Sequence, residues 1–316
     1  MRWLAVVAMV ACGPPPGAPV STAPAEPTPE AAPATYDLRT AGMVIDHTSD
    51  YVFEGGRIDL EMRVDGNRVI EVAYNRFAVA VVLQWQETEL VNVAPLDDAS
   101  GVAVLPPADK PNGQSAGVVL TTLVISDTTQ AYHRMMQLHA RFGDPQARPV
   151  AYAYRLPYRA GKTFSVLQGF HGQFSHRGSN EYAVDFDCPV ATPVLAARPG
   201  IVVASNAAAQ GAGTTPDYLE YSRTNFVLVL HDDGTLGEYM HLAPSSIEVA
   251  PGQRIERGQE IALSGNTGYS STPHLHFQVM TAADDGVSAR SFPIRFAVSP
   301  RRVEEPVQGR SYPAWE

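Results

Sequence analysis

Polar and apolar residues alternate in short segments along the first half of the chain. Residues 57–64 (RIDLEMRV) alternate strictly, and residues 118–126 (VVLTTLVIS) are rich in β-branched side chains. A period of two is typical of strands that bury one face. Turn signals such as Asp65-Gly66-Asn67 separate the runs. The pattern predicts a small antiparallel, β-sandwich-like domain over residues 36–150, with one short helix within residues 128–142.

A second series of short strands begins near residue 151. Gly and Pro punctuate its apolar segments, which include YAVDF at 182–186, GIVVAS at 200–205, FVLVLH at 226–231, GEYMHL at 237–242 and HLHFQVM at 274–280. Asp232-Asp233-Gly234, between two of these segments, is a hairpin signal. The sequence therefore predicts an all-β protein. Residues 151–290 form its second domain, and residues 291–316 are a C-terminal tail.

The first 35 residues differ in composition from the rest. A short apolar run after Arg2 ends at Cys12, and Met9-Val10-Ala11-Cys12 resembles a bacterial lipobox. We expect residues 1–12 to be a lipoprotein-type signal with Cys12 lipidated; the alternative is an ordinary secretory signal that is cleaved a little later. Residues 13–35 contain eight prolines and neither Lys nor Arg, which predicts a disordered tether. Gly13 after the cysteine favours the outer membrane, facing the periplasm.

The charge and cysteine content narrow the function classes. The chain of 316 residues carries a net charge of −10, with 23 Lys and Arg against 33 Asp and Glu. Nucleic-acid binders present a basic face, so we expect no nucleic-acid partner. Of the two cysteines, Cys188 is expected to be free and to lie in the core.

Candidate chemistry is concentrated in the second domain. His274 and His276 are two residues apart in a predicted strand, so their side chains project from the same face. Asp185 lies among apolar residues in YAVDF, where a carboxylate is costly unless a cation or metal pairs with it. His176 precedes it by nine residues. Two His and one Asp leave a fourth tetrahedral position open, which is the pattern of a catalytic zinc site.

Three ordered segments carry a family resemblance. SHRGSNEYAVDF, GEYMHL and GNTGYSSTPHLHF resemble the signature segments of the lysostaphin-like (LytM-type) zinc peptidoglycan endopeptidases. The resemblance covers about residues 165–281. It implies that His176, Asp185 and His276 bind one Zn²⁺ ion, and that His241 and His274 are the catalytic pair.

The chain departs from the family pattern at two points. The first His and the Asp are commonly separated by three residues, whereas eight residues separate His176 from Asp185, which leaves His171 as a rival ligand. Ala191 stands where the family usually has Gly, so the turn is expected to be built differently. Residues 206–224 form an insertion, either a flexible surface loop or a wall of the substrate groove.

The resemblance implies a zinc metallo-endopeptidase that hydrolyses the peptide crosslinks of bacterial peptidoglycan in the cell envelope. One histidine of the pair would accept a proton from water and the other would donate N–H to the oxyanion, with the assignment open. We also expect Glu181 and Tyr239 to orient the ligands, and His231 to close a hairpin. The alternatives are a non-catalytic regulator of the same fold, which binds and activates another wall hydrolase as its protein partner, and a purely structural β-domain.

Overall fold

The computed structural model describes residues 5–9, 44–53, 56–110 and 113–316. Cys12 and the predicted tether at 13–35 lie outside the described residues. The described part contains twenty-five strands and three short 3₁₀ helices, at Gly178–Asn180, Pro216–Leu219 and Tyr221–Arg223. The predicted all-β fold class is therefore confirmed. No helix in this part combines the length and the hydrophobicity needed to cross a bilayer.

The N-terminal part forms two antiparallel sheets. Its strands are β1 (Ala5–Met9), β2 (Val44–Phe53), β3 (Gly56–Asp65), β4 (Arg68–Asn75), β5 (Val81–Val91), β6 (Val93–Pro95), β7 (Ser100–Leu105), β8 (Val118–Ile125) and β9 (His133–Phe142). One sheet has the order β2-β3-β4-β8-β6 and the other β1-β9-β5-β7. Alternate residues of both sheets, such as Leu60 and Leu83, are buried in one apolar cluster, as expected for a sandwich.

The helix expected within residues 128–142 is wrong, because β9 occupies this segment. β9 pairs with β5 from Val91↔His133 to Val81↔Phe142, and its burial alternates along most of its length. Met, Gln, Leu, Ala and Arg are good helix formers, which is why the segment resembles a helix in sequence. Backbone pairing with β5 and burial of Met136 and Leu138 override that local preference.

The C-terminal part is built around one large sheet. Its strands are β10 (Ala153–Arg155), β11 (Thr163–Gln168), β12 (Val184–Phe186), β13 (Pro193–Leu195), β14 (Gly200–Asn206), β15 (Ala212–Gly213), β16 (Phe226–Leu230), β17 (Leu236–Met240), β18 (Arg254–Ile255), β19 (Glu260–Leu263), β20 (Gly268–Tyr269), β21 (Leu275–Ala282), β22 (Ala289–Phe292), β23 (Arg295–Ser299), β24 (Arg302–Glu304) and β25 (Ser311–Pro313). The main path runs β18-β14-β16-β17-β21-β12-β11-β25. The residues predicted as a C-terminal tail belong to this fold: β25 pairs with β11, and Tyr312 is buried in the core.

The two faces of the large sheet have different partners. On one face, Leu275, Phe277 and Val279 of β21 lie in an apolar cluster within the C-terminal part. On the other, Phe226 and Leu228, with Met280, lie in the cluster that also contains the core of the N-terminal sheets. This second face also carries His276, because residues two apart on a strand share a face. The N-terminal sheets therefore cover part of the face on which the candidate site is built.

Ala191 shows how the turn between β12 and β13 is made. Its φ is 66°, and its N–H donates to the carbonyl of Ser264 over 2.8 Å. The expectation of a differently built turn is wrong, because Ala191 adopts the left-handed conformation that glycine would adopt. The left-handed region costs a non-glycine residue about 1–2 kcal/mol.

We expect Ala191→Gly to stabilise the protein by about 0.5–1 kcal/mol, since relief of the left-handed backbone exceeds the entropy that glycine loses on folding. Ala250→Gly is the matched control, because Ala250 is exposed and has no positive φ. Urea denaturation of both variants checks the prediction. Equal destabilisation by the two substitutions would contradict it.

Candidate metal centre

Three side chains of the predicted site converge on one carboxylate oxygen. Asp185 lies in β12 directly opposite His276 of β21, and His176 lies in the loop that follows β11. Asp185 Oδ1 is 2.9 Å from His276 Nδ1 and 3.1 Å from His176 Nε2. All three residues are buried, and one ligand atom from each lies within 4.8 Å of the others. Strand pairing thus joins Asp185 to His276, although they are ninety-one positions apart in the sequence.

The donor set fits a zinc ion. Zinc bonds of about 2.0–2.2 Å in a tetrahedron place neighbouring ligand atoms roughly 3.3–3.6 Å apart, so shifts of a few tenths of an ångström accommodate the ion. His176 Nδ1 lies 2.8 Å from the carbonyl of Gly169, which fixes the proton on that nitrogen. His176 Nε2 is buried 3.1 Å from Asp185 Oδ1 and, with the proton on Nδ1, its lone pair meets no donor among the described residues. A buried basic nitrogen with no donor is what a metal ligand requires.

His171, the rival for the first ligand position, lies elsewhere. Its side chain is 60% exposed, and its Nδ1 is 3.1 Å from Glu181 Oε1. It is not part of the group that converges on Asp185, whereas His176 is fully buried there. The geometry therefore favours His176 despite its unusual spacing from Asp185.

His241 and His274 lie beside this group. Their ring centroids are 4.5 Å apart, and the ring of His241 is 5.8 Å from that of His276. His241 Nδ1 lies 2.7 Å from the carbonyl of Thr267, and His274 Nδ1 lies 2.8 Å from that of Thr272. These carbonyls hold a ring proton on Nδ1, so the neutral form of each ring keeps the Nε2 lone pair for other partners. His274 Nε2 lies 3.7 Å from Asp185 Oδ1.

Burial and hydrogen bonding set the charges at the centre. Burial by itself would raise the pKa of Asp185, but the adjacent imidazoles of His176, His276 and His274 hold that pKa well below its usual range. Burial, helped by the neighbouring histidines, lowers the pKa of His241 well below its usual value. Burial also opposes protonation of His276, but the hydrogen bond and the charge of Asp185 raise its pKa overall. Asp185 is therefore an anion, and His241 is neutral at neutral pH.

Gln168 orients the carboxylate of Asp185, although no motif in the sequence points to it. Gln168 lies in β11 opposite Asp185, and its Nε2 donates to Asp185 Oδ2 over 3.0 Å. Its Oε1 accepts the backbone N–H groups of Phe174 and Ser175 in the loop that leads to His176. The side-chain amide of Gln168 thus positions Asp185 directly, and it positions His176 through the backbone of the preceding loop residues.

The two residues expected to orient the ligands do not do so. The hydroxyl of Tyr239 accepts the backbone N–H of Ala197 over 2.7 Å inside the core, and Glu181 faces His171. The expectation is wrong for both residues. Tyr239 projects from the apolar face of β17, opposite the site, and Glu181 pairs with the exposed His171. His231 does lie at the β16–β17 hairpin, where it pairs with Thr235, and burial lowers its pKa to about 3.

The insertion at 206–224 packs next to the site. Its strand β15 pairs in parallel with β20, the segment that precedes His274. Gly268 in β20 has a φ of 79°, and a Cβ there would lie 1.8 Å from Thr224 Oγ1, so the two segments are in close contact. Phe174 stacks on Tyr269 with 5.7 Å between the ring centroids. The insertion therefore packs against the segment that precedes His274, and its role as a groove wall stays a prediction.

Residues 179–288 match the family model described as Peptidase family M23. The matched M23 segment contains Asp185, His241, His274 and His276. His176 lies three residues before it, so its place in the site rests on the geometry.

Curated relatives match the same part of the chain. Glycyl-glycine endopeptidase ALE-1 of Staphylococcus capitis is 42% identical over 105 residues, which is 33% of this chain and 25% of ALE-1. Peptidoglycan DD-endopeptidase ShyA of Vibrio cholerae is 35% identical over 96 residues, 30% of this chain and 19% of ShyA. The match therefore spans a quarter or less of the length of these relatives. The crystallised catalytic domain of lysostaphin from Staphylococcus simulans is 28% identical, with a TM-score of 0.29, covering 41% of this chain and 87% of that domain.

Proposed function

We propose that the chain is a zinc metallo-endopeptidase that hydrolyses the peptide crosslinks of bacterial peptidoglycan. The observation that carries this proposal is the convergence of His176, Asp185 and His276 with His241 and His274 beside them. The M23 match and the relatives named as peptidoglycan or glycyl-glycine endopeptidases support the substrate class.

His176 Nε2, Asp185 Oδ1 and His276 Nδ1 are the atoms that would hold the metal. Zinc there would supply Lewis acidity, which activates water and polarises the scissile carbonyl. Gln168 keeps the Asp185 carboxylate turned toward the two histidines. Of His241 and His274, one accepts a proton at Nε2 and the other, when protonated, donates its Nε2–H to the developing oxyanion. The backbone carbonyls of Thr267 and Thr272 hold both rings in the orientation that this requires.

We further propose that Cys12 is lipidated and that residues 13–35 tether the enzyme in the cell envelope, at the outer membrane facing the periplasm. Cleavage before Cys12 would remove β1 (Ala5–Met9) and leave that side of β9 unpaired. The apolar run, the lipobox-like tetrad and the proline-rich composition support this arrangement. The intact mass of the mature chain tests it, because a diacylated or triacylated Cys12 as the first residue is expected. A mature N-terminus after residue 12 would refute lipidation.

Digestion of purified peptidoglycan tests the proposed activity. The zinc-loaded protein is expected to release new amino termini from the crosslink peptides, and chelation of the metal is expected to stop the release. A protein that binds about one zinc per chain yet releases no amino termini would be the non-catalytic regulator instead.

A further inference from the structure

The sheet face that carries His276 continues into a buried polar pair. β17 and β21 are antiparallel, with Glu238 opposite Gln278 and Met240 opposite His276. Residues two apart on a strand share a face, so His276, Gln278 and Glu238 project on the same side of the sheet. Each of the three is at most 4% exposed. A carboxylate is therefore buried one strand away from a candidate metal ligand.

Glu238 has hydrogen-bond donors but no cationic side chain as a partner among the described ion pairs. Gln278 Nε2 donates to Glu238 Oε2 over 2.6 Å, and the hydroxyl of Tyr221 donates to Oε1. A buried carboxylate with neutral partners alone is costly. Glu238 and His276 are diagonal neighbours on the paired strands β17 and β21.

His276 has one nitrogen that the site does not use. Its Nδ1 faces Asp185, whereas its Nε2 is buried without a hydrogen-bond partner in the described part of the chain. The Oε1 of Gln278, on the same strand face, is also buried without a hydrogen-bond partner among the described residues. An imidazole that binds a metal through Nδ1 carries its proton on Nε2, and a buried N–H left unpaired costs about 1–3 kcal/mol. Histidines that bind metals almost always donate this second N–H to a carboxylate, a carbonyl or water.

We propose that Glu238 is a positioning residue of the metal centre. Together with Gln278 it is the acceptor for His276 Nε2–H, directly or through one water, and it keeps Nδ1 of that ring turned toward the metal. Tyr221 belongs to the insertion at 206–224, and its hydroxyl donates a hydrogen bond to the Glu238 carboxylate. The inference rests on the proposed function only in taking zinc as the ion at this centre.

Zinc affinity of the full chain with Glu238→Gln tests the proposal. Glutamine has the same shape and can still accept from Tyr221, but it removes the negative charge. We expect zinc affinity to fall about 10–100-fold, measured by competition with a chromogenic chelator. Glu181→Gln is the matched control, because Glu181 lies near the site but pairs with the exposed His171, and it is expected to leave zinc affinity unchanged.

A second variant and a second measurement separate positioning from a merely structural role. Gln278→Met removes the amide beside His276 and is expected to weaken zinc binding several-fold, so it carries the test if Glu238→Gln does not fold. Long-range ¹H–¹⁵N spectra of the zinc-loaded protein are expected to show a shifted Nε2 signal for His276 in either variant. Wild-type zinc affinity in a folded variant, even with a lower unfolding midpoint, would overturn the proposal. Because the readout is zinc affinity, a protein that binds zinc without cleaving peptidoglycan would refute the proposed function and leave this test intact.

Discussion

Replacing His176 by alanine is expected to abolish stoichiometric zinc binding, whereas replacing His171 by alanine leaves about one zinc per chain. His176 Nε2 is buried 3.1 Å from Asp185 Oδ1, while His171 is exposed and faces Glu181. Loss of a direct ligand exceeds the 10–100-fold effect of losing an outer hydrogen-bond partner, so affinity should fall by more than about 100-fold. Metal analysis of the dialysed proteins gives the stoichiometry.

The pair of variants is matched, because both remove one imidazole from the same short loop. Thermal unfolding of the metal-free proteins shows whether His176→Ala still folds. If His171→Ala lost the zinc and His176→Ala retained it, the assignment of the first ligand would be reversed, and the geometry around Asp185 would have to differ in the metal-bound state.

Replacing His274 or His241 by alanine is expected to leave zinc binding intact and to reduce peptidoglycan cleavage roughly 10²–10⁴-fold. Both rings lie beside the three candidate ligands, and their Nδ1 atoms are hydrogen-bonded to backbone carbonyls rather than to a metal ligand. The two measurements are zinc content and the release of new amino termini. The expected pattern is a metal-loaded, inactive protein.

His171→Ala again serves as the control, since it should retain both zinc and activity. Loss of zinc in His274→Ala would instead make this histidine a ligand, because its Nε2 is only 3.7 Å from Asp185 Oδ1. Full activity of both variants would remove the general acid–base role and leave the metal as the sole catalytic element.

The fold class could be predicted because alternation along single strands is a local signal. The helix prediction at 128–142 is wrong because these residues favour a helix in isolation, and only their pairing with β5 makes them a strand. The proximity of His274 and His276 follows from spacing within one strand. The contact of Asp185 with His276 depends on the register of β12 against β21, which spacing does not contain.

Other parts of the site are invisible in the sequence for physical reasons. Gln168 acquires its role only through its position opposite Asp185, and any polar residue of β11 would have been an equal candidate. The carbonyls that fix the histidine tautomers belong to the backbone of Gly169, Thr267 and Thr272, and every residue has such a group. Outside the site, the left-handed conformation of Ala191 is equally hidden in the sequence, because an alanine side chain disfavours it.

The apolar cluster shared by the N-terminal sheets and the large C-terminal sheet limits how this protein can be rearranged. Phe226, Leu228 and Met280 of the large sheet are buried in that cluster. Without the N-terminal strands these side chains would meet water over a contiguous patch, which promotes association between molecules. The segment that matches the M23 family model is consequently a poor unit for recombination, because a gene fusion that moves it must also supply a new cover for that face.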